Sequence, residues 1–394
     1  MPRKARAALV AVVIAAGVTT SAAAAATPAI HAHRGGTVVN GKPTFAEETL
    51  EAYGHAGRDG FVLEVDAKLT KDGVPVAIHD ATLDRTTTCT GEVRSFTRAA
   101  LRGCRLDELG SPGGGLATRH VKPRGSIATI AQVLELARLT GSTVNLEIKN
   151  LPTDPDYDTT SAYANSVMDV VLASGLPRSH LLIQSFIPAN LDVAKRRMPR
   201  VATSLLTLNS TPDVLDLAEK GGYTWLSPQW PFTAAFVRDA HRAHKLVAPY
   251  TLNERGDVRT AARARVDALI TDDPWMAARA LGRRPVKGLT ARLTRHGWQV
   301  EVSGRLLRPA GVTRRKGCTG EVTLRVLGSK RSWQAQRTQL AKDCRYDVAV
   351  PVPRGAPARL LATTGFAGNT RLLPRLIGPR LVPQELPRAL PHAG

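Results

Sequence analysis

The chain has 394 residues, which is long enough to bury a large core and to add a second, smaller module. Its net charge of +21 is concentrated in residues 283–394, which hold 22 Lys and Arg against five Asp and Glu, while residues 27–282 are close to neutral. The basicity therefore has to be explained in the C-terminal part, and no stretch after residue 26 is apolar over the roughly 20 residues needed to span a bilayer.

The N-terminus has the three parts of a secretory signal peptide. Basic residues at positions 3, 4 and 6 precede the apolar run 7–18, and small residues follow at 21–26. An uncleaved N-terminal anchor is the alternative, but the apolar run is shorter than a membrane-spanning helix requires. We therefore predict a cleaved signal peptide over residues 1–26 and a secreted, extracellular protein.

The first predicted elements after the signal peptide are a strand and a helix. The apolar lead 30–33 ends in the glycine loop His33-Arg34-Gly35-Gly36, and Glu47-Glu48-Thr49-Leu50 opens a helix that runs to about Arg58. They form the first β/α pair of the chain.

A hairpin follows within residues 61–86. Two apolar runs, 61–66 and 74–79, flank an Asp72-Gly73 turn, and the connection between them is too short for a parallel crossover. Side chains two apart on a strand share a face, so Glu64 and Asp66 point the same way. Folding about the turn sets His79 roughly opposite Asp66, and two carboxylates and a histidine are expected at one strand end.

Residues 80–126 are predicted to be an inserted loop, because they are irregular and rich in Thr, Gly and Arg. Cys89 and Cys104 both lie there, and Cys318 and Cys344 lie far downstream. We expect two local disulfides, formed in an oxidising compartment. Zinc is the competing interpretation of four cysteines, but no CxxC or His/Cys spacing supports it.

After the insertion, strands alternate with helical segments of about ten residues, the pattern of parallel β-α-β units. With the strands before the insertion, eight are predicted in all, at 30–33, 61–66, 143–148, 181–186, 201–206, 223–228, 246–251 and 267–271. Eight β/α units in about 250 residues predict an α/β fold, the (β/α)8 or TIM barrel, over residues 27–282. The run 74–79 is left as an antiparallel appendage.

The pattern changes from about residue 283, where helical periodicity disappears. Runs that alternate apolar and polar residues are separated by Gly and Pro, at 298–302, 321–326, 346–352 and 359–364. This predicts a small, basic, all-β and sandwich-like domain over residues 283–373, pinned by Cys318 and Cys344. Residues 374–394 are predicted to be a Pro- and Arg-rich tail.

Active sites of such barrels lie at the C-terminal ends of the strands, so polar residues there are the candidates. They are His33, Arg34, Glu64, Asp66, Glu147, Lys149, Gln184, Tyr250 and Asp272, and the hairpin adds His79. The three carboxylates Glu64, Asp66 and Glu147 suit one divalent cation, Ca²⁺ or Mg²⁺. Arg and Lys beside such a cation form a receptor for phosphate, and two histidines can act as general acid and general base.

These residues belong to a series of motifs that resembles the glycerophosphodiester phosphodiesterase family over roughly residues 29–280. The motifs are His33-Arg34-Gly35, Ala46-Glu47-Glu48-Thr49, Glu64-Val65-Asp66, Leu69-Thr70-Lys71-Asp72-Gly73-Val74-Pro75-Val76, His79-Asp80, Leu83-Asp84-Arg85-Thr86-Thr87, Glu147-Ile148-Lys149, Ser185-Phe186, Tyr250-Thr251-Leu252-Asn253 and Thr271-Asp272-Asp273-Pro274. The resemblance implies roles for seven of these residues: acid/base catalysis by His33 and His79, metal binding by Glu64, Asp66 and Glu147, and phosphate binding by Arg34 and Lys149. It also implies that the insertion covers the glycerol end of the substrate.

The chain departs from the family pattern at two places. The family's Pro-Glu-Asn-Thr is replaced by Ala46-Glu47-Glu48-Thr49, and its Trp-Thr turn by Tyr250-Thr251. We expect both departures to affect substrate fit more than activity. Gln184 and Tyr250 are expected in the pocket wall, and Asp272 is expected to organise the closure of the barrel without touching substrate.

The predicted function is a secreted, metal-dependent phosphodiesterase that cleaves small glycerophosphodiesters to glycerol 3-phosphate and an alcohol. Two alternatives remain: a phospholipase C/D-like or glycerophosphate-polymer (teichoic acid) hydrolase on the same fold, and a non-catalytic exported anion-binding protein.

The basic C-terminal part has its own set of interpretations. It is either a solvated surface without a partner or a binding surface for an anionic cell-wall polymer or a membrane. Nucleic acid is not expected as a partner, because export removes the usual target and the sequence contains no recognition motif.

Overall fold

The computed structural model describes residues 27–110, 118–327, 333–352 and 360–383. The predicted signal peptide, residues 1–26, lies outside them. Across these described ranges, the longest apolar helices still fall short of what a bilayer crossing demands.

The N-terminal part alternates strands and helices as predicted. Its strands are β1 Ala29–Ala32, β2 Val38–Val39, β3 Lys42–Pro43, β4 Val62–Leu69, β5 Pro75–Ala77, β6 Leu106–Leu109, β7 Arg119–Arg124, β8 Val144–Ile148, β9 Leu181–Ser185, β10 Ala202–Thr207, β11 Trp225–Pro228, β12 Leu246–Val247 and β13 Ala268–Thr271. Its helices are α1 Leu50–Arg58, α2 Ile130–Thr140, α3 Ala162–Ser174, α4 Pro188–Arg197, α5 Pro212–Lys220, α6 Ala234–Arg242, α7 Arg255–Arg263 and α8 Pro274–Ala280.

Within the described residues, eight of these strands form a parallel sheet in the order β12-β11-β10-β9-β8-β4-β1-β13. Backbone hydrogen bonds from Asp267 N to Val247 O (3.0 Å) and from Ile270 N to Pro249 O (2.9 Å) join the two ends of that order. The sheet is therefore a (β/α)8 barrel, which confirms the predicted fold. Strand β5 pairs antiparallel with β4, as the hairpin predicted.

Strand β4 shows how the sequence sets the two faces of the barrel wall. Leu63, Val65 and Ala67 are buried in the core between the strands and the helices. Because successive side chains on a strand point to opposite faces, Glu64 and Asp66 point into the barrel. Helices are positioned over this wall by local signals such as Thr49, whose hydroxyl accepts a hydrogen bond from Ala52 N at 3.1 Å and caps α1.

The insertion contains more regular structure than the sequence analysis predicted. Strands β6 and β7 form an antiparallel pair, and 3₁₀ turns lie at 93–95 and 100–103. The predicted insertion is present, and its strand pair was not predicted because the side chains of β6 pack in a small separate cluster with Ala46, which a local pattern does not indicate. The Cys89–Cys104 disulfide is present.

The C-terminal part is all-β apart from one short helix among its described residues. It consists of β14 Gly288–His296, β15 Gln299–Leu307, α9 Arg314–Gly317, β16 Glu321–Leu327, β17 Trp333–Gln339, β18 Arg345–Pro351, β19 Leu361–Phe366 and β20 Arg375–Leu381. The strands form two sheets, β14-β15-β18 and β17-β16-β19-β20, with a shared apolar core and the Cys318–Cys344 disulfide.

Strand β20 extends this region past residue 373, where the sequence analysis places the start of the tail. The strand was missed because Arg375, Pro379 and Arg380 break the alternation. It lies at the edge of its sheet, where Pro and charged residues are tolerated because one side of the strand has no neighbour to pair with. Arg375 also forms an ion pair with Asp59 of the barrel, so this edge strand contacts the barrel directly.

Candidate active site

Three buried carboxylates from two adjacent barrel strands form the centre of the site. Glu64 and Asp66 lie on β4 and Glu147 lies on β8, where the parallel register sets Glu147 beside Asp66. Each offers one carboxylate oxygen, and these oxygens lie within 4.8 Å of one another. Such a group of hard oxygen ligands can hold a divalent cation.

Basic and amide groups surround this cluster but do not hydrogen-bond to all of its carboxylate oxygens. Glu64 accepts hydrogen bonds from Arg34 N (2.8 Å) and Gln184 Nε2 (2.7 Å). Lys149 Nζ lies 3.1 Å from Glu147 Oε1 and 3.7 Å from Asp66 Oδ1. Within the described part of the chain, Asp66 Oδ2 is buried and accepts no hydrogen bond. A buried carboxylate oxygen left in this state fits a site built for a cation.

The pKa values show the cost of holding three carboxylates together. Burial, reinforced by the charge of Asp66, raises the pKa of Glu64 to about 7. Burial also raises the pKa of Glu147 well above its usual value. Burial acts in the same direction on Asp66, but Lys149 and His79 outweigh it and hold the pKa of Asp66 well below the usual range. A bound cation would relieve this repulsion, so the residues present fit a metal ion.

The turn that follows β1 places His33 and Arg34 at the mouth of the barrel. Arg34 has a φ of +52° and Gly35 a φ of +91°. A Cβ at Gly35 would lie 2.7 Å from Ala52 Cβ, so only glycine lets this turn pack so closely on α1. The tight turn directs Arg34 N at Glu64.

His33 is held by the last strand of the barrel. Its Nδ1 donates to Asp272 Oδ1 at 2.6 Å, and Asn253 Nδ2 donates to Asp272 Oδ2 at 2.6 Å. Burial works to lower the pKa of His33, but the charge of Asp272 reverses this and the net direction is upward. Because Nδ1 bonds to Asp272, Nε2 is the ring nitrogen of His33 that can exchange a proton with a substrate. The expectation from the sequence was that Asp272 organises the closure of the barrel; in the structure its carboxylate also holds the imidazole of His33.

His79 is held by a chain of charged side chains from the insertion and the segment before α1. Its Nδ1 donates to Asp80 Oδ1 at 2.6 Å, and Arg85 Nε donates to Asp80 Oδ2 at 2.7 Å. Arg85 Nη2 also donates to Glu47 Oε1 at 2.6 Å. Burial, together with the charges of Arg34 and Lys149, lowers the pKa of His79 to about 4. The two histidines are therefore tuned in opposite directions.

A cavity of about 260 Å³ brings these groups together. Its lining includes nine predicted or neighbouring polar residues, namely His33, Arg34, Glu64, His79, Glu147, Lys149, Gln184, Tyr250 and Thr251, with Leu151, Phe186, Leu206 and Ile270 as apolar wall. Asp66 lies beneath this surface. Tyr250 contributes its ring to the wall, since its hydroxyl donates to Thr207 O at 3.1 Å. Arg34 is less available than predicted, because its guanidinium lies 3.3 Å from Glu47 and 3.7 Å from Asp66.

Besides Asn253, four residues that position the site were not predicted from the sequence. Asp80, Arg85 and Glu47 link His79 to the buried cluster, and Glu48 accepts a hydrogen bond from Asp66 N at 3.2 Å. All four lie inside the quoted motifs, which was the available signal.

Glu48 also corrects the expectation about the first departure from the family pattern. It is buried against Tyr53, whose hydroxyl donates to it, and it does not line the cavity. Burial and then the charge of Asp66 raise its pKa well above the usual value. Glu48, which replaces the family's Asn, therefore contacts the carboxylate cluster and not the cavity in which substrate would bind.

The fold and this pocket together define a TIM-barrel hydrolase of phosphoric diesters. Residues 33–276 match the sequence profile of the Glycerophosphoryl diester phosphodiesterase family, which is more than half of the chain, so the protein belongs to that family.

Individual relatives agree with this assignment. A glycerophosphodiester phosphodiesterase of Bacillus altitudinis is 28% identical over 263 residues, 64% of this chain and 96% of its own length. One of Caldanaerobacter subterraneus is 28% identical over 62% of this chain and 93% of its own length. The solved structure of an Oleispira antarctica phosphodiesterase, in complex with the product sn-glycerol-3-phosphate, shares the fold with a TM-score of 0.52, at 23% identity over 65% of this chain and 97% of that one.

Proposed function

We propose that the protein is a secreted, metal-dependent phosphodiesterase that hydrolyses glycerophosphodiesters to glycerol 3-phosphate and an alcohol by acid/base catalysis with two histidines. The observation that carries this proposal is geometric: His33 and His79, each held at Nδ1 by a carboxylate, line one cavity together with Glu64 and Glu147. The raised pKa of His33 favours its protonated form, which can donate a proton, and the lowered pKa of His79 favours its neutral form, which can accept one.

The proposed roles follow from that tuning. Neutral His79 takes the proton of the attacking oxygen as a new P–O bond forms, and protonated His33 gives its proton to the alkoxide as the bond to the alcohol breaks. The attacking oxygen belongs to water or to the neighbouring hydroxyl of the glycerol moiety, which would give a cyclic phosphate first. In either case the complete hydrolysis forms one P–O bond and breaks one, and the proton taken up by His79 is matched by the proton released from His33.

The phosphate would be bound by the positive groups of the cavity. Lys149 lies between Asp66 and Glu147 and lines the cavity, and burial is outweighed by these two carboxylates so that its pKa is raised and it stays charged. Arg34 also lines the cavity and would bind the phosphate with Lys149. Glu64, Asp66 and Glu147 would hold one Ca²⁺ or Mg²⁺ ion, which when bound polarises the phosphoryl oxygens and neutralises developing charge.

The relatives support the choice of substrate. The Oleispira antarctica phosphodiesterase was solved with sn-glycerol-3-phosphate as its product, and the curated relatives bear the same activity in their names. We carry this product over to the present chain as part of the proposal, because the fold is shared and the pocket is lined by the groups that bind a phosphate.

Secretion and a second partner complete the proposal. The signal peptide pattern of residues 1–26 and two disulfides support export, since disulfides persist in oxidising compartments. The basic C-terminal region supports binding to an anionic cell-wall polymer or a membrane surface, because its excess of Lys and Arg attracts polyanions.

The direct test is hydrolysis of glycerophosphocholine by the purified chain with Ca²⁺ or Mg²⁺, before and after EDTA. We expect glycerol 3-phosphate and choline as products, and loss of turnover on chelation that either cation restores. Turnover untouched by EDTA would remove the metal from the mechanism. A parallel panel of phosphatidylcholine vesicles and poly(glycerol phosphate) tests the alternatives, and faster turnover of either one would replace the proposed substrate.

A further inference from the structure

A second cleft lies where the barrel meets the C-terminal sheets, and arginine dominates its lining. It has a volume of about 640 Å³ and is lined by Arg255, Arg279, Gly282, Arg283, Arg284, Pro285, Pro309 and Arg371. Among these described lining residues none is an Asp or Glu. It shares no residue with the catalytic cavity. Five guanidinium groups around one concave surface attract an anionic ligand.

The walls of this cleft are fixed by backbone hydrogen bonds. Arg284 N donates to Arg371 O at 2.9 Å, and Leu373 N donates to Arg284 O at 2.8 Å. The side chain of Arg284 also donates from Nη1 to Ala310 O at 3.0 Å. These hydrogen bonds join the linker after α8 to the segment before β20. The arginines of both segments are therefore held at the same cleft.

One arginine of the cleft is partly buried without compensation from the protein. The Nε atom of Arg283 is buried and, within the described residues, has no hydrogen-bond partner. Burial lowers the pKa of Arg283, which is the direction expected where no carboxylate offsets the loss of hydration. Arg255, Arg279 and Arg371 are exposed, so their guanidinium groups can reach an added ligand.

The shape of the site distinguishes between two kinds of anion. A membrane presents a broad, flat surface, which suits a protruding basic patch. A cleft lined on several sides suits a chain that enters it, and guanidinium groups bind phosphate oxygens bidentately. Several arginines along one cleft match several phosphates along one chain.

We propose that this arginine cleft binds a linear chain of phosphate groups, holding it to the enzyme outside the catalytic cavity. This proposal rests on the proposed function in one respect: it specifies the anionic partner of the C-terminal region as a phosphate polymer. Binding of that polymer does not depend on the catalytic reaction.

The test measures binding of inorganic polyphosphate to the full-length secreted chain by isothermal titration calorimetry at two salt concentrations. The test variant combines Arg255→Gln, Arg279→Gln and Arg371→Gln, and leaves Arg283 and Arg284 in place because Arg284 ties the walls together. The control combines Arg292→Gln, Arg305→Gln and Arg380→Gln, which removes the same three charges from exposed positions outside the cleft. We expect at least about tenfold weaker binding and a smaller salt dependence for the test variant, and a change within about threefold for the control.

Three outcomes would overturn the inference: no binding of polyphosphate to the wild-type chain, an equal loss in the control, or binding of phosphatidylglycerol vesicles without binding of polyphosphate. Equal loss would mean that the whole basic surface acts through its net charge. Turnover of glycerophosphocholine is measured for all three proteins in the same experiment. Absent turnover in the wild type would contradict the proposed reaction, while the binding comparison would still decide the role of the cleft.

Discussion

His33 Nδ1 donates to Asp272 Oδ1 at 2.6 Å, and this bond joins the first strand of the barrel to the last across 239 residues of sequence. Asp272 is itself held by Asn253, so the imidazole of His33 is fixed in one orientation. The charge of this carboxylate also raises the pKa of His33. Besides Asp272, the charged groups that act on His33 are Arg34, which lowers its pKa, and Glu64, which raises it.

Asp272→Asn is expected to reduce kcat by up to roughly 10⁴-fold, because the amide no longer holds the imidazole of His33 in the required tautomer. Removing the negative charge leaves burial and Arg34, which both lower the pKa of His33 and are opposed by the smaller effect of Glu64. If His33 is the acid, activity is lost as pH rises through its pKa, so the alkaline limb of the kcat/KM profile should move to lower pH. A limb that stays in place or moves upward would show that Asp272 does not set the protonation of His33.

His33→Ala and His79→Ala are each expected to lower kcat by about 10²- to 10⁴-fold on glycerophosphocholine, because each removes one proton-transfer partner. Folding should survive, as measured by circular dichroism and Tm. His244→Asn is the matched control, since His244 is exposed, has a φ of +55° that Asn tolerates, and lies outside the cavity. Turnover near that of the wild type in either alanine variant would contradict the paired roles.

Metal binding should appear as stabilisation that depends on the buried carboxylates. Ca²⁺ or Mg²⁺ at about 100 times its Kd should stabilise the EDTA-treated protein by about 2.7 kcal/mol, measured as a rise in Tm. Asp66→Asn should abolish most of that rise because it removes one of the three clustered carboxylates. Asp216→Asn, at an exposed helix position, should leave it unchanged. An equal rise in both variants would place the ion elsewhere.

Arg85 is expected to position His79 without touching substrate. It donates to Asp80, which holds His79, and to Glu47, which lies against Arg34. Arg85→Met should therefore lower kcat by roughly tenfold or more while KM changes less, because two catalytic groups lose their orientation together.

Two further variants separate positioning by Arg85 from a general loss of structure. Arg85→Lys should recover part of kcat, since one of the two contacts can be remade. Arg94→Met is the matched control, as Arg94 lies in the same insertion but is exposed and pairs only with Glu92 among the described contacts. A fall in Tm without a selective fall in kcat for Arg85→Met would indicate a merely structural residue.

Local patterns were sufficient for most of the barrel. Each of the eight predicted strands overlaps an observed one, because hydrophobic alternation and regular loop lengths are local properties. The pairing of β6 with β7 and the edge strand β20 were missed, because both are decided by contacts with distant segments.

Glu64, His79 and Glu147 line one cavity, so the motifs predicted which residues meet. Their roles in catalysis and metal binding stay predictions.

By itself, the sequence determined the fold class, the positions of the carboxylates and histidines at strand ends, and the basic character of the C-terminal part. These features follow from strand periodicity and residue charge, which are local properties of the chain. Only the tertiary structure decided that Asp272 and Asp80 hold the two histidines, that their pKa values move in opposite directions, and that five arginines converge on one cleft. Burial and long-range charge pairing cause these effects, and both depend on segments that meet only after the barrel has closed.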